Sequence, residues 1–305
     1  MLDLTDFAPS RMELSVVIVN YRSRERLLEC IAALAPELAG REAEIVVVDN
    51  DSRDGAPEAV TARFPAVRVR VNADNLGYAR AVNQGIADGR GAHVLVMNPD
   101  CIVRPGAVRA LLDYMREHPR TGIAAPRILN LDGSIEYSAR AFPDGFAFLF
   151  NRYSVLTRLF PRNPWTRGYL LTDWDHASAR DVDWVTGACM MVRRTAIDRV
   201  GGMDEAFFMF NEDVDWCRRM GQAGFGVTYV PAAEAVHWIG ASKQRVARRV
   251  IYERHRGMIH YFRKHHPANP ALDAFASVLI MARAWLMIAM NALRRSPEAP
   301  PEERP

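Results

Sequence analysis

LSVVIV at residues 14–19 and EIVVV at residues 44–48 set the fold class of this chain. Each is a short, unbroken, β-branched apolar run, the pattern of a strand covered on both faces in a parallel sheet. Between them, residues 24–35 (RERLLECIAALA) place Leu27, Leu28, Ile31 and Leu34 at helical spacing and stop before Pro36. The alternation continues with a helix over 56–63, a strand over 67–71, a helix over 78–88 and a strand over 93–97. Strands separated by short helices predict βαβ units with right-handed crossovers. The expected fold is α/β, a Rossmann-like and mostly parallel sheet with flanking helices.

The second half is less regular. Pro105 is placed as a first-turn proline for a helix over 105–118. Residues 130–183, rich in aromatics, prolines and glycines without a period, read as loops and short elements that wall a pocket. A strand over 188–192, a helix over 213–223 and a strand over 226–229 follow. From 246 to 265 the pattern is helical and basic. Between Lys243 and His266, eight cations (Lys243, Arg245, Arg248, Arg249, Arg254, Arg256, Arg263, Lys264) stand against Glu253 alone. His255, His260, His265 and His266 lack metal spacing and are assigned to a solvated helix face. Residues 271–293 are apolar apart from Asp273, Arg283, a serine and an asparagine, and SPEAPPEERP at the end reads as disordered. The predicted division is a lead over 1–13, an α/β domain over 14–240, a basic helix plus an apolar helix over 241–293, and a tail over 294–305.

Composition bounds the function. The 305 residues are 49% hydrophobic and 25% charged, enough for one large domain or two small ones. A net charge of +3 does not suggest a nucleic-acid partner. Four cysteines without a C-x-x-C pair argue against a zinc ribbon, a thioredoxin motif and a disulfide framework. The first fifteen residues carry acids and no apolar core, so no signal peptide is expected and the predicted setting is a reducing cytoplasm.

Ligands of a parallel α/β sheet bind beyond the carboxyl ends of its strands. The first strand runs into Asn20-Tyr21-Arg22 and the second into Asp49-Asn50-Asp51-Ser52-Arg53-Asp54-Gly55. The third is followed by Asn72-Ala73-Asp74-Asn75-Leu76-Gly77 and the fourth by Asn98-Pro99-Asp100. Turn chemistry explains any one of these outlets; four on one edge point to a ligand. No G-x-G-x-x-G follows the first strand and no P-loop occurs, so dehydrogenase and P-loop readings lose their central feature. Asp49–Gly55 is not a calcium loop, because its glycine stands at position seven and Val60 at position twelve. What remains is Asp100, a carboxylate that can hold a hard divalent cation against a diphosphate, the leaving group of a nucleotide sugar.

The ordered pattern SVVIVNY, EIVVVDNDSRDG, NADNLGYARAVNQG, HVLVMNPD, TGACMMVRR, GGMDEAFFMFNEDVDWCRR and a later histidine resembles the inverting GT-A glycosyltransferases of family 2, particularly their rhamnosyltransferase-like branch. It spans residues 14 to 240. The resemblance implies that Val19, Asn20 and Tyr21 line the base and ribose of the donor, with Asp49 hydrogen-bonded to the base. It implies that Asn75, Gly77 and Arg80 lie along the ribose–diphosphate wall. Asp100 matches the last acid of the family's D-x-D motif, with Asn98 replacing the first, and Asp213 matches the catalytic base of its E-D motif, with Glu212 beside it on the acceptor side. His237 matches a metal-binding histidine, which implies Mg²⁺ or Mn²⁺ held by Asp100 and His237. Thr186-Gly187-Ala188 resembles the acceptor-side loop. Trp184 stacks on an acceptor ring in one reading and belongs to the core in the other.

The expected activity is inverting, metal-dependent transfer of rhamnose or another deoxyhexose. The implied partners are a dTDP- or UDP-sugar donor and a surface-glycan or lipid-linked saccharide acceptor. The twenty residues 274–293, with one arginine, could span about 30 Å, but Arg283 near the middle favours lying in a membrane interface. The other reading packs this helix on the catalytic domain or at a homodimer interface. The expected location is the cytoplasm at the inner face of the plasma membrane. Competing functions are a nucleotidyltransferase of related fold and a catalytically silent glycan- or nucleotide-binding scaffold.

Overall fold

The computed structural model describes residues 12–143, 163–238, 248–267 and 269–293. The predicted disordered tail, most of the lead and part of the pocket wall lie outside the described residues. Four parallel strands form one side of the main sheet: β1 (Leu14–Asn20), β2 (Ala43–Asp49), β3 (Arg68–Val71) and β4 (His93–Met97). β1 is buried at every position, paired on one side with β2 and on the other with β4. That double covering is why its sequence shows no polar alternation. The crossovers are α1 (Arg24–Leu38), α2 (Ala56–Arg63) and α3 (Tyr78–Asp88).

α1 does not stop at Pro36 but continues to Leu38. In the last turn a proline costs little of the helical ladder, and the extra turn gives Glu37 a task. Its carboxylate accepts the N–H groups of Gly106 at 2.7 Å and Val108 at 3.1 Å. These lie at the start of α4 (Ala107–Glu117), where backbone donors have no helical partner and negative charge is favoured. Pro105 therefore precedes α4 and does not open it. Gly106, at φ +85°, makes the left-handed step between them.

The main sheet runs β3-β2-β1-β4-β10-β6-β11-β5, with β5 (Cys101–Val103), β6 (Thr121–Leu129), β10 (Cys189–Arg193) and β11 (Gly226–His237) on its far side. β10 lies antiparallel between β4 and β6, and β5 antiparallel to β11, so the sheet is mixed with a mostly parallel order. β6 was not anticipated, and β11 is far longer than the predicted four residues. Both hide behind prolines, Pro126 and Pro231. Proline cannot donate to the ladder, and the β6–β11 register shifts between Val230 and Glu234 to accommodate it. β8 (Arg180–Asp181) pairs with β11, while β7 (Ala139–Arg140) and β9 (Trp184–Val185) make a small separate ladder. α5 (Pro164–Leu170), α6 (Arg194–Val200) and α7 (Glu212–Gln222) complete this part.

The described residues within Met1–Glu205 and Glu212–Trp238 form one compact unit, and those within Ala206–Asn211 and Ile239–Pro305 a second. In the second, α8 (Arg248–His265) packs along α9 (Pro270–Leu293), with Arg263 bonded to Ser277 at 3.0 Å and Tyr252 facing Trp285. His255, expected in solvent, is buried in α8 and bonded through Nδ1 to the Ile251 carbonyl at 2.7 Å.

Candidate active site

The carboxyl ends of β1 and β2 are knotted by side chains. Asn20 Nδ2 donates to Asp49 Oδ2 at 2.8 Å and to Ser52 Oγ at 3.0 Å, while the Ser52 N–H reaches Asp49 Oδ1 at 3.0 Å. Asn20 and Asp49 are both buried, so each shapes the loop wall from within. Asn50 ties this wall to the loop before α3. It donates to Asn75 Oδ1 at 3.0 Å and the Gly77 carbonyl at 3.1 Å, and accepts from Leu76 N–H at 3.0 Å. Gly77 at φ +88° lets the chain turn into α3 there. Val19 is buried, whereas Tyr21 is 41% exposed, with the Arg22 guanidinium carbon 5.1 Å from its ring centre. Arg80 is engaged elsewhere: its Nε lies 2.8 Å from Glu205.

A second cluster forms where β5, β6 and β11 end. Asp100 immediately precedes β5, His237 closes β11, and the antiparallel pairing of His237 with Cys101 sets them side by side. His237 Nε2 lies 3.3 Å from Asp100 Oδ1, and its Nδ1 lies 3.0 Å from Glu136 Oε2. Glu136 arrives because the chain folds back after β6: its N–H donates to the Ile128 carbonyl at 2.8 Å. The imidazole thus lies between two carboxylates, Glu136 buried and Asp100 36% exposed at the side chain. Burial pushes the imidazole pKa down, but hydrogen bonds to Asp100 and Glu136 outweigh it and hold the pKa up at about 10.

Asp213 stands in the first turn of α7. Its Oδ2 accepts the Gly187 N–H at 3.0 Å and its Oδ1 the Val214 N–H at 2.9 Å. Burial raises its pKa, and the two N–H groups and the nearby Arg140 pull it part of the way back. Glu212 is buried, with Oε2 left without a hydrogen bond. Burial and the neighbouring Asp213 push its carboxyl well above the usual range, so the pair resists carrying two charges.

Backbone joins the two clusters. The Ala188 carbonyl accepts the Asn98 N–H at 2.9 Å, two residues from Asp100, while adjacent Gly187 holds Asp213. The Tyr78 hydroxyl donates to the Gly187 carbonyl at 2.8 Å. Burial raises this phenol's pKa, and Glu212, Asp213 and Asp100 raise it further.

The profile of Glycosyl transferase family 2 matches residues 15–201. The chain belongs to that family. It is 40% identical over 235 residues to the N-acetylglucosaminyl-diphospho-decaprenol L-rhamnosyltransferase of Mycobacterium tuberculosis, covering 73% of this chain and 75% of that one. Among solved structures it resembles GalNAc-T7 with UDP, GalNAc and Mn²⁺ at a TM-score of 0.58 and 15% identity, over 83% of this chain and 49% of that one. The chain thus spans about half the length of that protein. The mannosyltransferase PcManGT of Pyrobaculum calidifontis, with GDP-Man and Mn²⁺, gives a TM-score of 0.55 at 17% identity, covering 96% and 79%. At these identities the likeness carries the GT-A fold.

The residues of this glycosyltransferase fit a divalent cation at Asp100 and His237. Among the described residues no cluster of three or more His, Cys, Asp or Glu side chains is placed around a metal. Two donors 3.3 Å apart nevertheless match the edge of an octahedral shell, about 3 Å for bonds of about 2.1 Å, with substrate oxygens and water left to complete it. Glu136 on Nδ1 leaves Nε2 as the nitrogen that can face a cation.

Of the residues the sequence singled out, Asn20, Asp49, Asn75 and Gly77 share the first knot, while Asn98, Asp100, Gly187, Ala188, Asp213 and His237 share the convergent site. Trp184 is 5% exposed, donates through Nε1 to the Ala141 carbonyl at 2.8 Å and carries Arg140 over its ring. That placement makes it a support and leaves little ring for an acceptor. Sequence reasoning missed Glu136, Asn50, Tyr78 and Arg140. Tyr78 follows a glycine already singled out; Glu136 and Arg140 sit in the aperiodic region and are revealed only by pairing.

Proposed function

We propose that this protein is an inverting hexosyltransferase that moves a deoxyhexose, rhamnose foremost, from a dTDP- or UDP-activated donor to a saccharide on a lipid diphosphate. The observation that carries this reading is the continuous link from Asp100 through Asn98 and Ala188 to Gly187 and Asp213, which sets two acids on one ligand edge. The relative in M. tuberculosis supports the choice of sugar and acceptor class by its name.

In this reading Asp213 accepts the proton of the acceptor hydroxyl as it attacks the anomeric carbon. Gly187 and Val214 N–H groups aim the carboxylate, and burial of Glu212 beside it disfavours a second charge there. Tyr78 braces the Gly187 carbonyl, so the peptide facing the sugar keeps its orientation. Exposed Tyr21 offers a face for the nucleotide base. A divalent cation held by Asp100 and His237 would offset the charge that develops on the departing diphosphate. Glu136 fixes the tautomer and orientation of His237 for that task.

The acceptor's lipid places the reaction at a membrane, and α9 suits one. Pro270–Ala292 is long and apolar enough to cross a bilayer, with mean hydropathy 1.7. Leu272, Phe275, Val278, Leu279, Trp285, Leu286 and Met290 are exposed on it, while Ile280 and Ala284 are buried. Arg283 is half-buried toward α8, whose His255 feels its charge. A helix with one apolar outer face and a half-buried arginine suits the interface, and the basic α8 suits anionic lipid headgroups at the inner face of the plasma membrane.

A panel of dTDP- and UDP-sugars with Mn²⁺ and a GlcNAc-diphosphate alkyl acceptor tests the reaction. A new disaccharide that disappears in Asp213→Asn is expected; full transfer by that variant removes the base assignment, and no transfer by wild type with any donor removes the function. Flotation with anionic vesicles tests the membrane contact, which Leu279→Glu with Leu286→Glu is expected to abolish.

A further inference from the structure

Among the described residues Arg140 makes no ion pair, although its charge acts on Asp213. It is paired in register with Trp184 across the β7–β9 ladder and is half-buried. Its Nε donates to the Tyr137 carbonyl at 2.6 Å, and its guanidinium carbon lies 5.0 Å from the Trp184 ring centre and 5.9 Å from that of Tyr169. Among the described residues no carboxylate reaches it within the 4.0 Å of an ion pair. Its counterparts are spent: Arg80 on Glu205 at 2.8 Å, Arg53 on Asp51 at 2.7 Å, Arg219 on Asp215 at 2.8 Å and Arg127 on Glu234 at 3.3 Å.

The same ladder leads to the base. Thr186 N–H donates to the Ser138 carbonyl at 3.0 Å, and the next residue, Gly187, donates to Asp213 at 3.0 Å. A fixed cation so close to a general base opposes its task, because it favours the ionised carboxylate over the proton acceptor's product. The cost vanishes once an anion arrives and cancels the charge. A planar guanidinium held on two aromatic rings is suited to phosphate oxygens, which it can meet in pairs.

We propose that Arg140 binds a phosphate group carried by the acceptor, adjoining the sugar whose hydroxyl Asp213 deprotonates. This rests on the glycosyltransferase reading above. The donor's diphosphate has the same chemistry, but inversion sets the leaving group and the attacking hydroxyl on opposite faces of the transferred sugar. Arg140 neighbours Asp213, on the attacking side. Binding of the charged acceptor then also restores the basicity of Asp213, so the base is strongest when the right acceptor is seated.

Two acceptors with one sugar test this, one on a short alkyl diphosphate and one as a neutral alkyl glycoside. Arg140→Met keeps an apolar stem over Trp184; its kcat/KM for the diphosphate acceptor, relative to the neutral one, is expected to fall roughly 10- to 100-fold. With the neutral acceptor, the acid limb of its pH profile should move upward as Asp213 loses the neighbouring cation. Arg140→Lys is expected to fall between. An unchanged ratio between the acceptors overturns the proposal, and so does a rise confined to the donor KM, which assigns Arg140 to the donor. Calorimetric titration of the alkyl diphosphate acceptor into wild type and Arg140→Met gives an answer independent of turnover, equal affinities overturning it. Wild type that binds the acceptor more tightly than Arg140→Met yet transfers no sugar leaves Arg140 assigned and removes only the glycosyltransferase reading.

Discussion

Asp100 and Asp213 are joined by one backbone segment but live in opposite surroundings. Asp100 is partly open to solvent and lies against an imidazole that a second carboxylate keeps positively charged. Among the described residues Asp213 has no charged hydrogen-bond partner; it is held by two backbone N–H groups and backed by the buried Glu212, whose pKa is raised by burial and by Asp213. The first setting suits a group that keeps its charge and shares it with a cation. The second suits a group that must gain and lose a proton, since burial raises its pKa while the N–H groups pull it part of the way back. Two identical side chains are thus given different roles by what surrounds them.

The largest test of this contrast is Asp213→Asn, expected to lower turnover about 10²- to 10⁴-fold with donor affinity unchanged by calorimetry. A parallel loss of donor affinity would erase the distinction between the two acids. Next, chelation with EDTA is expected to cut turnover by roughly 100-fold or more, with recovery on adding Mn²⁺ or Mg²⁺; full activity in EDTA would leave His237 itself as the positive partner. Glu136→Leu is expected to weaken Mn²⁺ binding, read by electron paramagnetic resonance, about 10- to 100-fold. Glu136→Gln keeps an acceptor for Nδ1–H and should lose little; a similar loss in both variants would show that charge, not orientation, is what Glu136 supplies.

The pH dependence follows from His237. Its folded pKa, about 10, lies above the unfolded value near 6.5. The stability it contributes is therefore complete below pH 6.5 and declines as pH rises toward 10. A cation must displace the same proton, so Mn²⁺ affinity should climb up to about tenfold per pH unit in that window. His237→Gln should flatten both curves. The smallest effect expected is for Trp184→Phe, which loses the bond to Ala141 and should cost about 1 kcal/mol in urea unfolding. A larger loss of activity than of stability there would point to support of Arg140.

The two halves of the chain differ in how far they could be read without coordinates. From Leu14 to Met97 the elements are local: β1, β2 and β4 are apolar runs that serve as their own evidence, β3 is a short alternating edge strand, and the outlets after the strands point to a ligand edge. In the second half, β6 and β11 carry prolines and a register shift that break the strand pattern, and β7 and β9 are two residues each. Asp213 and His237 were found through motif resemblance. Glu136 and Arg140 could not be, because nothing next to either in the chain marks it.

Residue type and spacing alone therefore determined the βαβ layer and the edge where its polar outlets gather, since burial on both faces of a strand and helical stripes are short-range patterns. Tertiary structure alone decided the company that Asp100 and Asp213 keep. The pairing of β11 with β5 and β6 brings His237 between Asp100 and Glu136, and the β7–β9 ladder carries Arg140 to Asp213. Charge and desolvation act through space, and residues a hundred positions apart acquire their pKa values and roles only when strand register makes them neighbours.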